Sequence, residues 1–184
     1  IIAGTEKISE KVIKKANKLK HISRVGIGLD SVDLIAAENK GIKVSYTPDV
    51  PAPAIAELTI GMMLTLLRST HVSNSKMHNG EWYRVFGKRL SNVTIGLIGV
   101  GRVGIRVIKH LQGFDSPNIL ANDLSKSVKE LDLPVQWVDK EKIFKDADVI
   151  TLHLPLTGLT KNLITQEQLM LMKKDAVIIN TSRG

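Results

Sequence analysis

Residues 94–104 read TIGLIGVGRVG, and this stretch decides the fold. Its mostly apolar first half is typical of a buried strand, and Gly99, Gly101 and Gly104 then follow the spacing G-x-G-x-x-G. A helical pattern resumes at once from Arg102. The glycine spacing alone occurs by chance in many loops. A strand directly before it and a helix directly after it, however, are typical of a dinucleotide-binding unit.

Each of these glycines has a physical role in such a turn. Gly99 permits the tight bend, Gly101 lets a pyrophosphate approach the backbone, and Gly104 lets the helix pack closely on the strand. The phosphates then lie at a helix N-terminus, where unpaired N–H groups and the helix dipole favour an anion. The alternative is a purely structural strand-to-helix turn.

Asp123 follows the next predicted strand, nineteen residues after Gly104, in the segment LANDLSK. A carboxylate at this place accepts hydrogen bonds from both ribose hydroxyls of an adenosine and repels a 2′-phosphate, so it favours NAD over NADP. The positive charge of Lys126 nearby partly offsets that preference for NAD. The alternative is an ordinary carboxylate that ends the strand or caps a helix.

Outward from this unit, short apolar runs alternate with helical patterns, which predicts a parallel α/β architecture. The segment TPDVPAP at 47–53 interrupts the alternation and indicates a hinge or domain boundary, because prolines fix the backbone and remove hydrogen-bond donors. We therefore predict two domains, over residues 1–48 and 52–184. The second is a Rossmann-type, doubly wound parallel sheet that is incomplete at its C-terminal side.

Three features of the helices can also be predicted. Apolar spacing predicts one helix over 54–76, buried on most sides, with a face formed by Ile55, Leu58, Met62 and Leu66 and widened by Ile60, Met63 and Leu67. Asp30 is the expected N-cap of the helix that precedes Gly41. Thr165 and Gln168 have the spacing of a capping box.

Composition narrows the functional classes. The 184 residues include no cysteine, which excludes disulfides and thiolate chemistry, and no His or acidic pair has metal-ligand spacing, so we expect no metal. The net charge of +8 admits nucleic acid, but the lysines are scattered and only seven aromatic residues could stack on bases, so we expect small anionic ligands instead. We find no signal peptide or membrane span and expect a cytoplasmic protein.

Two further loops carry chemistry. Gly26 and Gly28, in RVGIGLD, join a predicted strand to a helix, and their backbone N–H groups could hold a carboxylate as the first loop holds phosphate. His153, in TLHLPLT, lies just beyond a strand end where Pro155 stiffens the loop. We favour a role for His153 in shaping a cofactor pocket over a catalytic role.

Together these segments resemble the D-isomer-specific 2-hydroxyacid dehydrogenase family, which includes phosphoglycerate dehydrogenase. RVGIGLDSVDL, TPDVPAPAIAELT, GEWYR, TIGLIGVGRVG, DADVITLHLPLT and VIINTSRG occur in the family's order and approximate spacing. The resemblance implies a flavodoxin-like α/β substrate domain, of which residues 1–48 would be part, and an NAD-binding domain inserted into it. The active site would lie in the cleft, and the protein would form a homodimer.

The resemblance also implies roles for individual residues. The substrate carboxylate would be held by the backbone of Val25, Gly26, Ile27 and Gly28. NAD would be bound by Gly99, Gly101, Arg102, Val103, Gly104, Asp123, His153, Leu154, Pro155, Thr181 and Ser182. Arg183 matches the family's catalytic arginine. A forked, permanently charged guanidinium suits a 2-oxo acid and polarises its carbonyl for hydride attack.

The expected activity is therefore NAD-dependent hydride transfer between nicotinamide C4 and the C2 carbon of a 2-hydroxy/2-oxo acid, with 3-phosphoglycerate as one candidate substrate. The family's general acid is a histidine held by a glutamate, both downstream of the Arg183 position. We therefore expect the chain to be an internal fragment that is inactive by itself. The alternative is a non-catalytic NAD-binding regulator of the corepressor type.

Overall fold

The structure, a computed structural model, describes residues 1–115 and 117–183. The chain divides into two compact units, Ile1–Pro53 and Ala54–Gly184. The assignment of residues 1–48 and 52–184 to a substrate-binding and an NAD-binding domain stays a prediction, because the units are defined by packing alone.

The first unit is a small parallel sheet with two helices that pack on each other. Its strands are β1 (Ile2–Ala3), β2 (His21–Arg24) and β3 (Lys43–Tyr46), paired in that order, and its helices are α1 (Glu10–Lys15) and α2 (Leu34–Asn39). Apolar residues from both layers form one core: Ala3, Ile8, Ile13, Ile22, Val32, Ala37 and Ile42.

The second unit contains the larger sheet. Its strands are β4 (Thr94–Ile98), β5 (Asn118–Asn122), β6 (Gln136–Trp137), β7 (Val149–Leu152) and β8 (Val177–Asn180). Its helices are α3 (Ala52–Leu67), α4 (Thr70–His78), α5 (Arg102–Leu111), α6 (Lys126–Lys129), α7 (Lys140–Asp146) and α8 (Gln166–Leu171), with a 3₁₀ turn at Leu90–Asn92. The strands are all parallel, in the order β6-β5-β4-β7-β8.

Strand β4 is central because both of its faces are covered. Ile95 and Leu97 belong to a core shared with α3 and α5, whereas Ile98 belongs to a core shared with α7. Gly96 lets α7 approach the strand, since a Cβ there would collide with the side chain of Ile143. Helices on both faces of a parallel sheet confirm the predicted doubly wound α/β fold.

The strand order reverses beside β4: the first crossover leads to β5 on one side, and a later one returns to β7 on the other. In open α/β sheets, ligands bind outside the carboxyl ends of the strands at such a switch point. The residues that directly follow β4, β5, β7 and β8 are Gly99, Asp123, His153 and Thr181. All four were predicted as site residues.

The predicted helix over 54–76 is wrong in two respects. The segment forms two helices, because Ser69 adopts a left-handed φ of 48° between α3 and α4. In addition, the Lys88 N–H donates to the Leu67 carbonyl at the end of α3. The packed face also differs in part from the predicted one, although Ile60 and Met63 are buried as expected. Leu58 and Met62 are exposed, and the buried residues are Ala52, Ala56, Thr59, Ile60 and Met63.

The predicted caps have different outcomes. Asp33, and not Asp30, is the N-cap of α2, and its carboxylate accepts a hydrogen bond from the Ala36 N–H at 3.0 Å. The capping box of Thr165 and Gln168 at the start of α8 is confirmed.

Two general properties concern the described part of the chain. No helix there is both long and apolar enough to cross a bilayer. No three His, Asp or Glu side chains are grouped there so that they could hold a metal ion.

Candidate functional site

Loop 99–104 connects β4 to α5, and its three glycines are in different surroundings. Gly99 has a φ of +95°, and a Cβ on it would lie 2.5 Å from the His153 carbonyl oxygen. A Cβ on Gly104 would collide with the Gly99 carbonyl oxygen. Gly101, the N-cap of α5, has no atom within 4 Å of its Cβ position. Gly99 and Gly104 therefore permit close packing, and Gly101 leaves open space at the N-terminus of α5.

Asp123 is tied to the backbone through both carboxylate oxygens. Oδ2 accepts a hydrogen bond from the Val100 N–H at 2.7 Å, and Oδ1 accepts one from the Ser125 N–H at 2.7 Å. The residue thus fixes loop 99–104 to the end of β5. Each oxygen keeps a second lone pair, so ribose hydroxyls could still donate to the carboxylate. The ribose contact stays a prediction.

His153 lies between loop 99–104 and β7. Its N–H donates to the Ile98 carbonyl at 2.9 Å, and its Nε2 lies 3.0 Å from the hydroxyl of the buried Thr151. Burial lowers the pKa of His153 to about 4. The ring is therefore neutral near pH 7 and is a poor proton donor, which agrees with a role in shaping the pocket and not with acid catalysis.

The turn that carries Arg183 is held by the side chain of Asn180. Asn180 Oδ1 accepts from the Ser182 N–H at 3.0 Å and from the Ser182 hydroxyl at 2.8 Å, and its Nδ2 donates to the Arg183 carbonyl at 2.6 Å. Asn180 was not predicted as a site residue. The available signal was an Asn at a strand end, where its side chain commonly organises a turn.

A cavity of about 350 Å³ lies beside this turn. It brings together four predicted site residues, Leu154, Pro155, Ser182 and Arg183, and Asn180 lines it too. Thr160 lines it as well and braces the loop in which it lies, since its Oγ1 accepts a hydrogen bond from the Thr157 N–H at 2.8 Å. The cavity has the size usual for small-molecule sites.

Loop 25–28 in the first unit differs from the predicted anion site. The Gly26 N–H already donates to the Thr47 hydroxyl at 2.8 Å, and the Gly26 carbonyl accepts from the Thr47 N–H at 3.2 Å. Helix α2 begins only at Leu34, so no helix N-terminus faces the loop. The two loops therefore differ in the backbone groups that they offer to an anion. That the backbone of Val25, Gly26, Ile27 and Gly28 holds a carboxylate stays a prediction.

Arg24, which the sequence analysis did not single out, lies beneath this loop. It is only 5% exposed, and its Nη1 donates to the Val25 carbonyl. Its Nε is buried without a hydrogen-bond partner among the described residues. Gly26 has a φ of +136°, and a Cβ on it would lie 2.7 Å from Arg24 Nη1, so the loop and the guanidinium fit closely together.

Known proteins resemble the chain over its full length. It is 40% identical to the hydroxypyruvate reductase of Thermotoga maritima over 186 residues, which is 100% of this chain and 60% of that protein. It is 41% identical over 189 residues to the D-3-phosphoglycerate dehydrogenase of Methanocaldococcus jannaschii, covering 100% of this chain and 36% of that protein. The chain thus spans 60% or less of the length of these relatives.

A solved structure agrees. The D-lactate dehydrogenase of Aquifex aeolicus complexed with NAD and lactic acid superimposes with a TM-score of 0.89 at 30% identity, covering 100% of this chain and 56% of that one. The family model for the NAD-binding domain of the D-isomer-specific 2-hydroxyacid dehydrogenases matches residues 60–184. The chain therefore belongs to the D-isomer-specific 2-hydroxyacid dehydrogenase family, and residues 60–184 match the model of that family's NAD-binding domain.

Proposed function

We propose that the protein is an NAD-dependent oxidoreductase that transfers a hydride between nicotinamide C4 and the C2 carbon of a 2-hydroxy/2-oxo acid. The observation that carries the proposal is that loop 99–104 and Arg183 both follow carboxyl ends of strands in one sheet. An anion-binding helix start and a guanidinium suited to a 2-oxo acid therefore share one sheet edge.

The residues of this edge fit the cofactor. The open space above Gly101 and the start of α5 suit a pyrophosphate, with Arg102 and Val103 in the first turn. Asp123 would accept hydrogen bonds from the adenosine ribose, and the His153–Pro155 loop would cover the adenosine. Thr181 and Ser182 would lie by the nicotinamide. When bound, NAD supplies the hydride acceptor.

Arg183 would bind the substrate and polarise its carbonyl, but it cannot supply a proton, because its guanidinium does not deprotonate in proteins. His153 is neutral near pH 7 and cannot supply one efficiently. The family resemblance gives this task to a histidine held by a glutamate, and neither matches a residue of the chain. We therefore expect the 184-residue chain, assayed alone, to bind NAD without turnover.

The activity is tested in the whole protein by following NADH oxidation with glyoxylate, hydroxypyruvate, pyruvate and 3-phosphohydroxypyruvate. Arg183→Gln should lower kcat/KM by about 100-fold or more, because it removes charge stabilisation at the reacting carbonyl. Arg89→Gln is a matched control, since Arg89 forms an exposed ion pair with Asp115. No reduction of any 2-oxo acid would contradict the enzyme and favour a non-catalytic NAD-binding regulator.

The preference for NAD over NADP is tested by melting the chain with NADH or NADPH. A ligand that binds only the folded state raises the melting temperature, and at equal concentration the tighter ligand raises it more. NADH should give the larger shift, because the Asp123 carboxylate repels a 2′-phosphate. A larger shift with NADPH would overturn this part of the proposal.

We also propose that the protein is cytoplasmic and that it forms a homodimer. The dimer is supported by apolar side chains that lie on the surface of the second unit: Leu58 and Met62 of α3, with Trp82 at 86% and Phe86 at 91% exposure. Trp82→Glu combined with Phe86→Glu should give monomers by sedimentation, whereas Ile35→Glu, at an exposed position of α2, should not. A monomeric wild type would contradict the proposal.

A further inference from the structure

Thr59 is a polar residue in the packed face of α3. It has no exposed surface, and its neighbours Ala56 and Met63 belong to the apolar core around β4. A buried hydroxyl in such surroundings is costly unless it forms hydrogen bonds, and a valine would fill the same space without that cost. The hydrogen bonds of Thr59 therefore indicate its role.

The direction of these hydrogen bonds can be deduced. Thr59 Oγ1 donates to the Ile55 carbonyl at 2.8 Å and lies 3.2 Å from Thr181 Oγ1. A hydroxyl has one proton, and a carbonyl can only accept, so the proton of Thr59 is engaged by Ile55. Thr59 must then accept from Thr181, and the Thr181 hydroxyl is the donor.

This contact reaches the turn that carries Ser182 and Arg183. The hydrogen bonds of the Asn180 side chain lie within the turn, between Asn180, Ser182 and Arg183. The bond from Thr181 to Thr59 instead joins the first residue of the turn to α3. Helix α3 therefore helps to fix where the turn lies, together with β7, whose Leu152 carbonyl accepts a hydrogen bond from the Ser182 hydroxyl at 3.4 Å.

We propose that Thr59 is a positioning residue for the nicotinamide end of the cofactor. This inference rests on the proposed function, in which Thr181 and Ser182 lie by the nicotinamide. If the Thr59 hydroxyl is removed, the Thr181 proton loses its acceptor and the turn loses its bond to α3. The ADP half of the cofactor is assigned to loop 99–104 and Asp123, which follow other strands, and should not be affected.

Two substitutions separate the hydrogen bond from packing. Thr59→Val keeps the shape and removes the hydroxyl, whereas Thr59→Ser keeps the hydroxyl and removes a methyl group. Thr65→Val on the same helix is the matched control. Binding of NADH and of ADP-ribose, which lacks the nicotinamide, is measured by calorimetry for each variant, together with its thermal unfolding.

Thr59→Val should weaken NADH binding by about three- to tenfold, the factor expected for one neutral hydrogen bond, and leave ADP-ribose binding unchanged. Thr59→Ser should bind NADH as the wild type does, with a lower melting temperature. If Thr59→Val weakens both ligands equally, or neither, Thr59 is only structural and the inference is overturned. If the wild type binds neither ligand, the proposed function fails and the inference fails with it.

A double-mutant cycle gives a second test. Thr181→Val removes the donor of the same bond, so adding Thr59→Val to Thr181→Val should cost little further NADH affinity. Losses that simply add would show that the two hydroxyls act independently and would overturn the inference.

Discussion

Loops 25–28 and 99–104 each follow a strand and each contain two glycines separated by one residue, yet they differ in what their backbone can bind. Loop 99–104 leads directly into α5, and the space above Gly101 is open. After loop 25–28 the chain reaches α2 only at Leu34, and the Gly26 N–H is already bonded to Thr47. Of the two loops, therefore, only loop 99–104 offers an anion the N-terminus of a helix.

The two loops are also anchored differently. Loop 99–104 is held by the Asp123 carboxylate at the Val100 N–H and packs against the His153 carbonyl. Loop 25–28 is held by a neutral hydroxyl and lies over the buried guanidinium of Arg24. The anchor of the first loop is therefore negative, and the charge beneath the second is positive. Such an arrangement suits ribose hydroxyls at the first and an anionic group near the second.

The largest effect is expected at Gly99. Gly99→Ala combines a φ of +95° with a Cβ placed 2.5 Å from a backbone oxygen, which cannot move without displacing β7. We expect it to lower the free energy of unfolding by about 4 kcal/mol or more, as measured by urea denaturation. Gly113→Ala, whose Cβ would lie 3.5 Å from the nearest atom, should have little effect. Similar losses for both variants would contradict the packing role of Gly99.

Acid should destabilise the second unit through His153. Its pKa is about 6.5 when unfolded and about 4 when folded, so between these values only the unfolded chain gains a proton. The contribution of His153 to the free energy of unfolding is complete above pH 6.5 and is lost as the pH falls toward 4. It amounts to about 3 kcal/mol. His153→Gln should flatten this part of the stability profile. An unchanged profile for His153→Gln would show that the ring is not buried as described.

Asp123→Ala tests the anchor of loop 99–104. It removes the acceptor of two backbone N–H groups, and we expect a loss of about 2 kcal/mol in the free energy of unfolding. NADH binding should weaken as well, because the loop loses its support. Asp132→Ala, at an exposed position, is the control. Full stability of Asp123→Ala would show that the carboxylate does not hold the loop.

The smallest effect is expected at the anchor of loop 25–28. Thr47→Val removes a neutral acceptor from the Gly26 N–H, which should cost about 1 kcal/mol in urea denaturation. NADH binding should not change, because this loop is assigned to the substrate. A loss of NADH affinity comparable with that of Asp123→Ala would remove the distinction between the two loops.

The sequence predicted the features that depend on neighbouring residues. The helix that follows loop 99–104 begins at Arg102 as expected from its pattern, and the residues after four strands were identified as site residues. The break at Ser69 was missed because the docking of Lys88 on the end of α3 is a tertiary contact. Thr59 was missed for the same reason, since its partner Thr181 lies 122 residues away in sequence.

Part of the predicted buried face of α3 was wrong for another reason. Apolar residues surround much of this helix, so spacing could not determine which of them face the sheet. The structure buries Ala56, Ile60 and Met63 and leaves Leu58 and Met62 exposed. Exposed apolar residues on a helix are compatible with a partner surface, and the packing of one chain by itself does not account for them.

The central claim is that loop 99–104 binds the pyrophosphate of NAD, and Gly101→Val tests it most directly. Gly101 has φ −82° and ψ −153°, which valine can adopt, and no atom lies within 4 Å of its Cβ position. Calorimetric titration with NADH should show binding to the wild type and at least about tenfold weaker binding to Gly101→Val, with the melting temperature nearly unchanged. Equal NADH affinity for the two proteins would contradict the account.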